Sequence, residues 1–369
     1  MELRKRRLFH PTVLPQGRVI TYNASRMKHT AENPPGTLPP LPTLRIGPIE
    51  LDVPVVLAPL AGYTDLAYRL ICRRLGAPFC ATEMMLDRQL LLPGRLRRRL
   101  VLLDDADHPV AGQIAGNEPD VMALAAGELC RTGFDVVDVN LACPVRKVLS
   151  RHRGGWLMTE GDRAIEIVRA VVAAADRPVT VKLRSGFDGS DGGAAFYRIA
   201  EAAFDAGVAA ICLHARTVVQ KYAGPADWEF LAAAKRHFAD RTIIGSGDVS
   251  DPAAAVAMLR QTGADGVSFA RAALGNPWIF RQFRDTLAGR PLYRPGLAEQ
   301  RDVLAGHFAH AVAIYGPRRA PKIMRKFGIK YARLHPTPAK VRAAFVAVRA
   351  PADWARVLET FYDPGRYEG

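Results

Sequence analysis

From residue 53 onward the chain repeats one rhythm: a short apolar run, a turn, then a longer stretch whose apolar positions recur at helical spacing. The runs are VPVVLA (53–58), FCATE (79–83), VAGQI (110–114), VVDVN (136–140), VTVKL (179–183), AICLH (210–214), TIIGS (242–246) and GVSFA (266–270). Between most of them lie helical patterns such as PDVMALAAGELCRTG, DRAIEIVRAVVAAAD, AAFYRIAEAAFDAG and DPAAAVAMLRQTG, the last two closing at Gly as helices commonly do. Eight strand-helix units over roughly 250 residues predict an α/β fold, a TIM (β/α)8 barrel. An open doubly wound sheet is the competing arrangement, and its G-x-G-x-x-G fingerprint is absent. After GNPWIF (275–280) the pattern changes to QRDVLAGHFAHAVAIYG, PKIMRKFGIKYARLH, PAKVRAAFVAVRA and PADWARVLETFYD, the lengths and short connections of a small helical bundle. Pro291, Pro295 and Gly296 set the join near 292–296. The expected organisation is a Pro-rich, disordered extension over 1–42, a barrel over 43–292 and a C-terminal helical domain over 293–369.

Alternation within the strands places polar side chains on the inward face, toward the C-terminal strand ends where such barrels carry their chemistry. Thr180, Lys182 and Arg184 align, as do Cys212, His214 and Arg216, and Val136, Asp138 and Asn140. Gln113, Asn140, Lys182, Arg184, His214 and Arg216 therefore converge on one candidate site. GSGDVSDP (245–252) and ARAALGNP (270–277) follow the seventh and eighth strands, where backbone N–H groups and a helix N-terminus often hold phosphate. With Arg271 beside them, they predict a phosphorylated cofactor. Cys143, in NLACP (140–144), stands in a loop, whereas the other four cysteines sit in apolar patterns as small core residues. A thiol with a pKa of about 8.5 is mostly protonated at neutral pH, so it can serve as a proton donor or a nucleophile.

Composition narrows the function classes. A chain of 369 residues that is 49% hydrophobic and 24% charged can bury a large core. No apolar run reaches the roughly 18 to 20 residues of a membrane span, and no apolar segment follows the basic N-terminus, so a cytoplasmic protein with no membrane partner is expected. Five widely spaced cysteines without a C-x-x-C pair argue against a disulfide framework or a zinc site. The net charge of +15 divides into +5 over residues 1–42, +2 over 43–293 and +8 over 294–369. A nearly neutral body with a basic C-terminal module predicts a polyanionic partner, nucleic acid before membrane.

These residues together resemble the flavin-dependent tRNA dihydrouridine synthases, most closely their bacterial B-type branch. LAPLAGYTDLAYR resembles the family's opening motif, and TEM (82–84), DVNLACPVRKV (138–148), VTVKLRSG (179–186), LHARTVVQKYAGPADW (213–228), GSGDV and GVSFARAALGNPWIF resemble its successive motifs in order. The resemblance spans about residues 45 to 362. It implies FMN as bound cofactor, NADPH as reductant and tRNA as partner, with no obligate protein partner and a monomeric chain. Ala58, Pro59 and Leu60 would lie against the flavin ring, while Asp65 is placed to cap the following helix. Gln113, Lys182 and His214 would contact FMN, with Ser246, Gly247, Asp248, Ala270 and Arg271 around its phosphate. Asn140, Arg184 and Arg216 would hold the substrate, and hydride delivery to C6 of uridine would be matched by a proton from Cys143 to C5. Arg325, Lys326, Lys330 and Arg333 are the candidates for gripping RNA phosphates.

The sequence departs from the family pattern in several places. Ala142, Ser246 and Ala270 replace the usual Gly, Asn and Gly, and Arg153 and Trp156 stand where small residues are common. Trp156 would narrow the nucleotide pocket or stack on a base. Three other readings compete: a dihydrouridine synthase directed at rRNA, an RNA-binding homologue impaired in turnover, and a flavin barrel reducing a small unsaturated substrate. The basic C-terminal module disfavours the last.

Overall fold

A computed structural model of the chain describes residues 43–363. The expectation for residues 1–42 lies outside the described residues. The strands are β1 (Leu44–Ile46), β2 (Ile49–Leu51), β3 (Val55–Leu57), β4 (Cys80–Ala81), β5 (Met85–Leu86), β6 (Val110–Ala115), β7 (Val136–Asn140), β8 (Val179–Arg184), β9 (Ala210–His214), β10 (Ile243–Ser246) and β11 (Gly266–Phe269). In sheet order β4, β3, β11, β10, β9, β8, β7 and β6 run parallel, and pairing of β4 with β6 closes the cylinder. Each of the eight expected runs supplies one barrel strand.

The helices around the barrel are α1 (Leu66–Arg74), α2 (Asp87–Leu91), α3 (Arg95–Leu100), α4 (Pro119–Thr132), α5 (Arg146–Leu149), α6 (Gly161–Ala174), α7 (Ala194–Asp205), α8 (Trp228–His237), α9 (Pro252–Thr262) and α10 (Ile279–Leu287). Local chemistry sets their ends. Asp65 accepts from the Tyr68 N–H to cap α1, and Asp251 accepts from the Ala254 N–H ahead of Pro252 to cap α9. Gly263 ends α9 in the left-handed conformation that a residue without Cβ adopts readily. Four more helices follow: α11 (Leu297–Tyr315), α12 (Ala320–Tyr331), α13 (Pro338–Ala347) and α14 (Pro351–Phe361). The described residues group as one compact unit, with α11 packed on α1.

The β1–β2 hairpin has no counterpart in the sequence reading. Its Leu44, Ile46 and Leu51 join Val56, Phe79, Ala81, Ala111, Val136, Ala210 and Ile244 in a second apolar cluster, separate from the core between strands and helices. Leu44 comes so close to β11 that a Cβ on Gly266 would lie 2.6 Å from its Cδ2. The hairpin thus plugs one end of the barrel with hydrocarbon, and the polar inward residues occupy the other.

Candidate active site

At the C-terminal ends of the barrel strands lies a cavity of about 630 Å3, within the range of roughly 300 to 1,000 Å3 usual for small-molecule sites. Its wall includes Ala58, Pro59 and Leu60 after β3, Gln113 on β6, Asn140 at the end of β7, Lys182 and Arg184 on β8, His214 ending β9, Ser246, Gly247 and Asp248 after β10, and Ala270 and Arg271 after β11. Cys143 also lines it. Period-two alternation explains the convergence, because every one of these strands ends at the same rim.

The polar wall is internally wired. Thr180 Oγ1 and Gln113 Nε2 donate to the two oxygens of Asp138, at 2.8 and 2.7 Å. Asn140 Nδ2 donates to Gln113 Oε1 at 2.8 Å, and Asn140 Oδ1 accepts from the N–H groups of Ala142 and Cys143 at 3.1 and 3.0 Å. A primary amide carries two N–H donors, so Gln113 and Asn140 each keep one for a ligand. Burial raises the carboxyl pKa of Asp138.

Cys143 is held on several sides. Its carbonyl accepts from the Gly155 N–H at 3.0 Å, and a Cβ on Gly154 would lie 3.0 Å from the Cys143 Cβ, so the GG pair lets two backbones approach closely. Burial pushes the thiol pKa up, which keeps the sulfur protonated at neutral pH. Arg184, only 2% exposed, is spent largely on backbone: Nε donates to the Ala142 carbonyl, and Nη1 donates to the carbonyls of Thr217 and Lys221, all at 2.8 Å. The guanidinium therefore ties the Cys143 loop to the loop after β9.

Donors outnumber acceptors around the cavity. Lys182 Nζ has the sulfur of Cys212, a weak acceptor at 3.2 Å, as its partner. Arg271 lies over the Tyr222 ring at 4.9 Å. His214 is held neutral, its pKa lowered to about 2 by burial and then by the positive charges of Lys182, Arg184, Arg216 and Arg271. Arg216 donates to His214 Nε2 at 3.3 Å, which leaves the ring proton on Nδ1. Ser268 Oγ is buried in the wall and has no hydrogen-bond partner among the described residues. Such a surplus of donors suits an electron-rich, anionic ligand.

Four expected residues make contacts that the sequence did not show. Arg216 does not line the cavity; its Nη2 grips the Asp248 carboxylate at 2.6 and 2.7 Å and the Gly224 carbonyl at 2.6 Å, fixing Asp248 in a left-handed conformation at φ 57°. Lys326 also lies outside the cavity lining. Its ammonium donates to the Gly62 carbonyl and sits 4.8 Å from the Tyr63 ring centre, so α12 clasps the turn after β3. Tyr315 adds a hydrogen bond to Asp65 at 2.5 Å, and Glu83 accepts from the Gly62 N–H. Arg325 is half-buried on α12, outside the lining. Arg333, a candidate for gripping RNA phosphates, lines the cavity and donates to the Ala272 carbonyl at 2.7 Å. The cause is local: α12 passes into a 3-10 turn at Ala332–Leu334 while its end rests on Gly275, where a Cβ would lie 2.3 Å from the Lys330 carbonyl carbon.

Other features were not singled out from sequence. Met84, Tyr222 and Ser268 line the cavity; each lay within a motif block, but none was given a role there. A separate hollow of about 590 Å3 is lined by Arg95, Arg98 and Arg99 from α3 and Arg319 from the turn after α11. The run RLRRRL (95–100) was the available signal. Trp156 stays outside the main cavity, stacked on His152 at 4.8 Å with Nε1 donating to Glu160 at 2.8 Å. Arg153 turns toward Asp87 at 3.5 Å. Among the described residues there is no cluster of side chains able to hold a metal ion and no helix long and apolar enough to cross a membrane.

Comparison with known proteins adds an independent line. The family profile described as Dihydrouridine synthase (Dus) matches residues 56–363. The tRNA-dihydrouridine synthase B of Xanthomonas campestris pv. campestris is 37% identical over 324 residues, covering 87% of this chain and 96% of the relative. That of Pseudomonas aeruginosa is 36% identical over 304 residues, covering 82% and 90%. Among solved structures, histamine dehydrogenase from Rhizobium sp. 4-9 superposes with a TM-score of 0.54 at 15% identity, over 72% of this chain and 50% of that one. The 6-hydroxypseudooxynicotine amine oxidase of Pseudomonas geniculata N1 gives the same TM-score and identity over 72% and 52%. At that identity the likeness concerns the fold alone.

Proposed function

Since the chain belongs to the dihydrouridine synthase family, we propose that it reduces the C5–C6 double bond of uridine in tRNA, with FMN as bound cofactor and NADPH as reductant. The observation that carries this reading is a protonated, half-buried thiol, Cys143, opening on a donor-rich cavity at the mouth of the barrel. The fit to FMN rests on that donor set. Lys182, the uncommitted N–H of Gln113 and the neutral His214 would meet the electron-rich edge of the ring system, Ala58, Pro59 and Leu60 its apolar body, and Arg271 with the Ser246–Asp248 turn its phosphate. The buried, unpartnered Ser268 hydroxyl gains an acceptor or donor when such a group enters.

FMN, when bound, would supply the hydride for C6 of the uracil, with NADPH as the source of its two electrons. Cys143 Sγ gives its proton to C5, so that one hydride and one proton add across the double bond, and the sulfur regains a proton from solvent before the next cycle. Asn140 and Arg184 hold the thiol's loop, and each keeps N–H groups that can donate to the uracil carbonyls. The target base has to leave its stack to reach a cavity of this depth.

Purified protein is expected to take up one FMN per chain, and tRNA from cells lacking the protein is expected to lose dihydrouridine at defined positions by mass spectrometry. A protein that takes up no flavin, together with unchanged dihydrouridine, would refute the reading. Loss from ribosomal RNA instead would transfer the activity to that substrate.

A further inference from the structure

The hydrogen-bonded run behind the cavity wall has a direction, and that direction has a source. Counting from the interior, Thr180 Oγ1 and Gln113 Nε2 both donate to Asp138, Asn140 Nδ2 donates to Gln113 Oε1, and the N–H groups of Ala142 and Cys143 donate to Asn140 Oδ1. A primary amide can present either its oxygen or its nitrogen to a neighbour, so neither Gln113 nor Asn140 sets its own orientation. The two ends of the run do. Backbone N–H groups can only donate, and the Asp138 carboxylate offers oxygens on both sides.

We infer that Asp138 is a positioning residue for Cys143: by orienting the side-chain amides of Gln113 and then Asn140, it presents the Asn140 oxygen to the two N–H groups that fix the thiol's loop. The inference rests on the proposed proton transfer from Cys143 for its catalytic consequence. With Asp138 removed, one of the two ends that set this direction is gone, and Gln113 can invert and turn its NH2 group toward Asn140. Asn140 must then meet donors from both sides with one oxygen, and one loop contact is lost. In such a buried setting an unmatched donor is costly, so the loop would shift. An asparagine at 138 preserves the direction, because its oxygen accepts from Gln113 while its NH2 group donates to Thr180 Oγ1, a hydroxyl able to act either way.

The test uses the full-length holoenzyme and two readouts. The first is the rate of iodoacetamide alkylation of Cys143, followed by peptide mass spectrometry, which needs no turnover. The second is single-turnover dihydrouridine formation alongside the KM for tRNA. D138A is expected to speed alkylation at least fivefold and slow single turnover about 100-fold, with KM within twofold, whereas D138N stays within threefold of the parent in both readouts. If D138A does not accumulate folded, D138L, which fills the space but offers Gln113 no acceptor, is expected to speed alkylation about threefold while D138N does not. The inference is overturned if D138A, or D138L in its place, leaves alkylation unchanged, or if D138N behaves like D138A. Faster alkylation in D138A with normal turnover would instead uphold the positioning and refute the proton-donor role of Cys143.

Discussion

Cys143 tests the chemistry at the scale of one atom. Its raised thiol pKa suits an acid more than a nucleophile, and positioned general acids contribute roughly 10²- to 10⁴-fold. Cys143→Ala is therefore expected to retain FMN and bind tRNA while product formation falls at least 100-fold in a single-turnover assay; full activity would end its assignment as proton donor. The sequence made this residue legible because it stands in a loop just beyond a strand, away from any apolar period. It did not make Arg216 legible, since alternation states which face a side chain takes and says nothing of how far a long guanidinium turns to meet Asp248. His307 lay wholly out of view as a buried imidazole, packed 4.5 Å from Phe327 and 5.3 Å from Tyr68, with neither nitrogen partnered among the described residues. Burial, aided by the charges of His310 and Lys326, lowers its pKa to about 3. An unfolded histidine titrates near 6.5. As pH falls below that value the unfolded chain gains a proton that the folded one refuses, so this residue costs stability on the acid side, by up to about 1.4 kcal/mol per pH unit. His307→Phe is expected to raise stability at pH 7 by about 1 kcal/mol and to flatten the loss between pH 7.0 and 5.5, as measured by urea denaturation at the two pH values.

At the scale of elements, the most demanding contact is a buried ion pair that joins α1 to the segment before β6. Arg69 Nε donates to both oxygens of Asp107 at 3.1 and 3.0 Å, and Nη2 donates to one of them at 2.6 Å, with side chains 2% and 0% exposed. The guanidinium also reaches the carbonyls of Thr64 and Leu102 at 2.9 and 3.2 Å, so it ties the turn after β3 to the loop ahead of β6. Leaving one charge buried alone is the severe case. Arg69→Met is expected to lower stability by about 3–5 kcal/mol, and adding Asp107→Leu is expected to recover part of that loss, which a double-mutant cycle in urea would measure. Neither partner announced itself in the sequence, because Asp107 sits in a DDAD run that looks like ordinary loop polarity. The same limit explains the missed hairpin, whose LRIGPIEL is too short to show alternation beyond doubt and becomes a strand pair only by plugging the barrel. The barrel strands themselves were readable because eight apolar runs, each separated by helical spacing, leave few topologies to choose among.

Across the whole molecule the question is where an RNA backbone would be held. The sequence pointed to the helical region by net charge alone, yet charge counts cannot tell an engaged cation from a free one. Lys326 is engaged, its ammonium given to the Gly62 carbonyl and its pKa lowered by burial. The arginines of α3 and Arg319 are placed otherwise: Arg95, Arg98, Arg99 and Arg319 face a common hollow, and none forms an ion pair with a carboxylate among the described residues. That hollow adjoins Tyr315, which reaches Asp65 at the cavity's first turn, so a strand lying in it could deliver a neighbouring nucleotide to the barrel mouth. Phosphate contacts release counterions, and each one removed should lower the slope of log affinity against log salt by roughly 0.7 to 0.9. The triple change R95A/R98A/R319A is thus expected to weaken tRNA binding by at least tenfold at low salt and to flatten the salt dependence by about two, while the rate of dihydrouridine formation from saturating tRNA stays within twofold. Filter binding across a salt series would read it. An unchanged slope would move the RNA path elsewhere, and a fall in the saturated rate would mean that these arginines act on the reacting base itself.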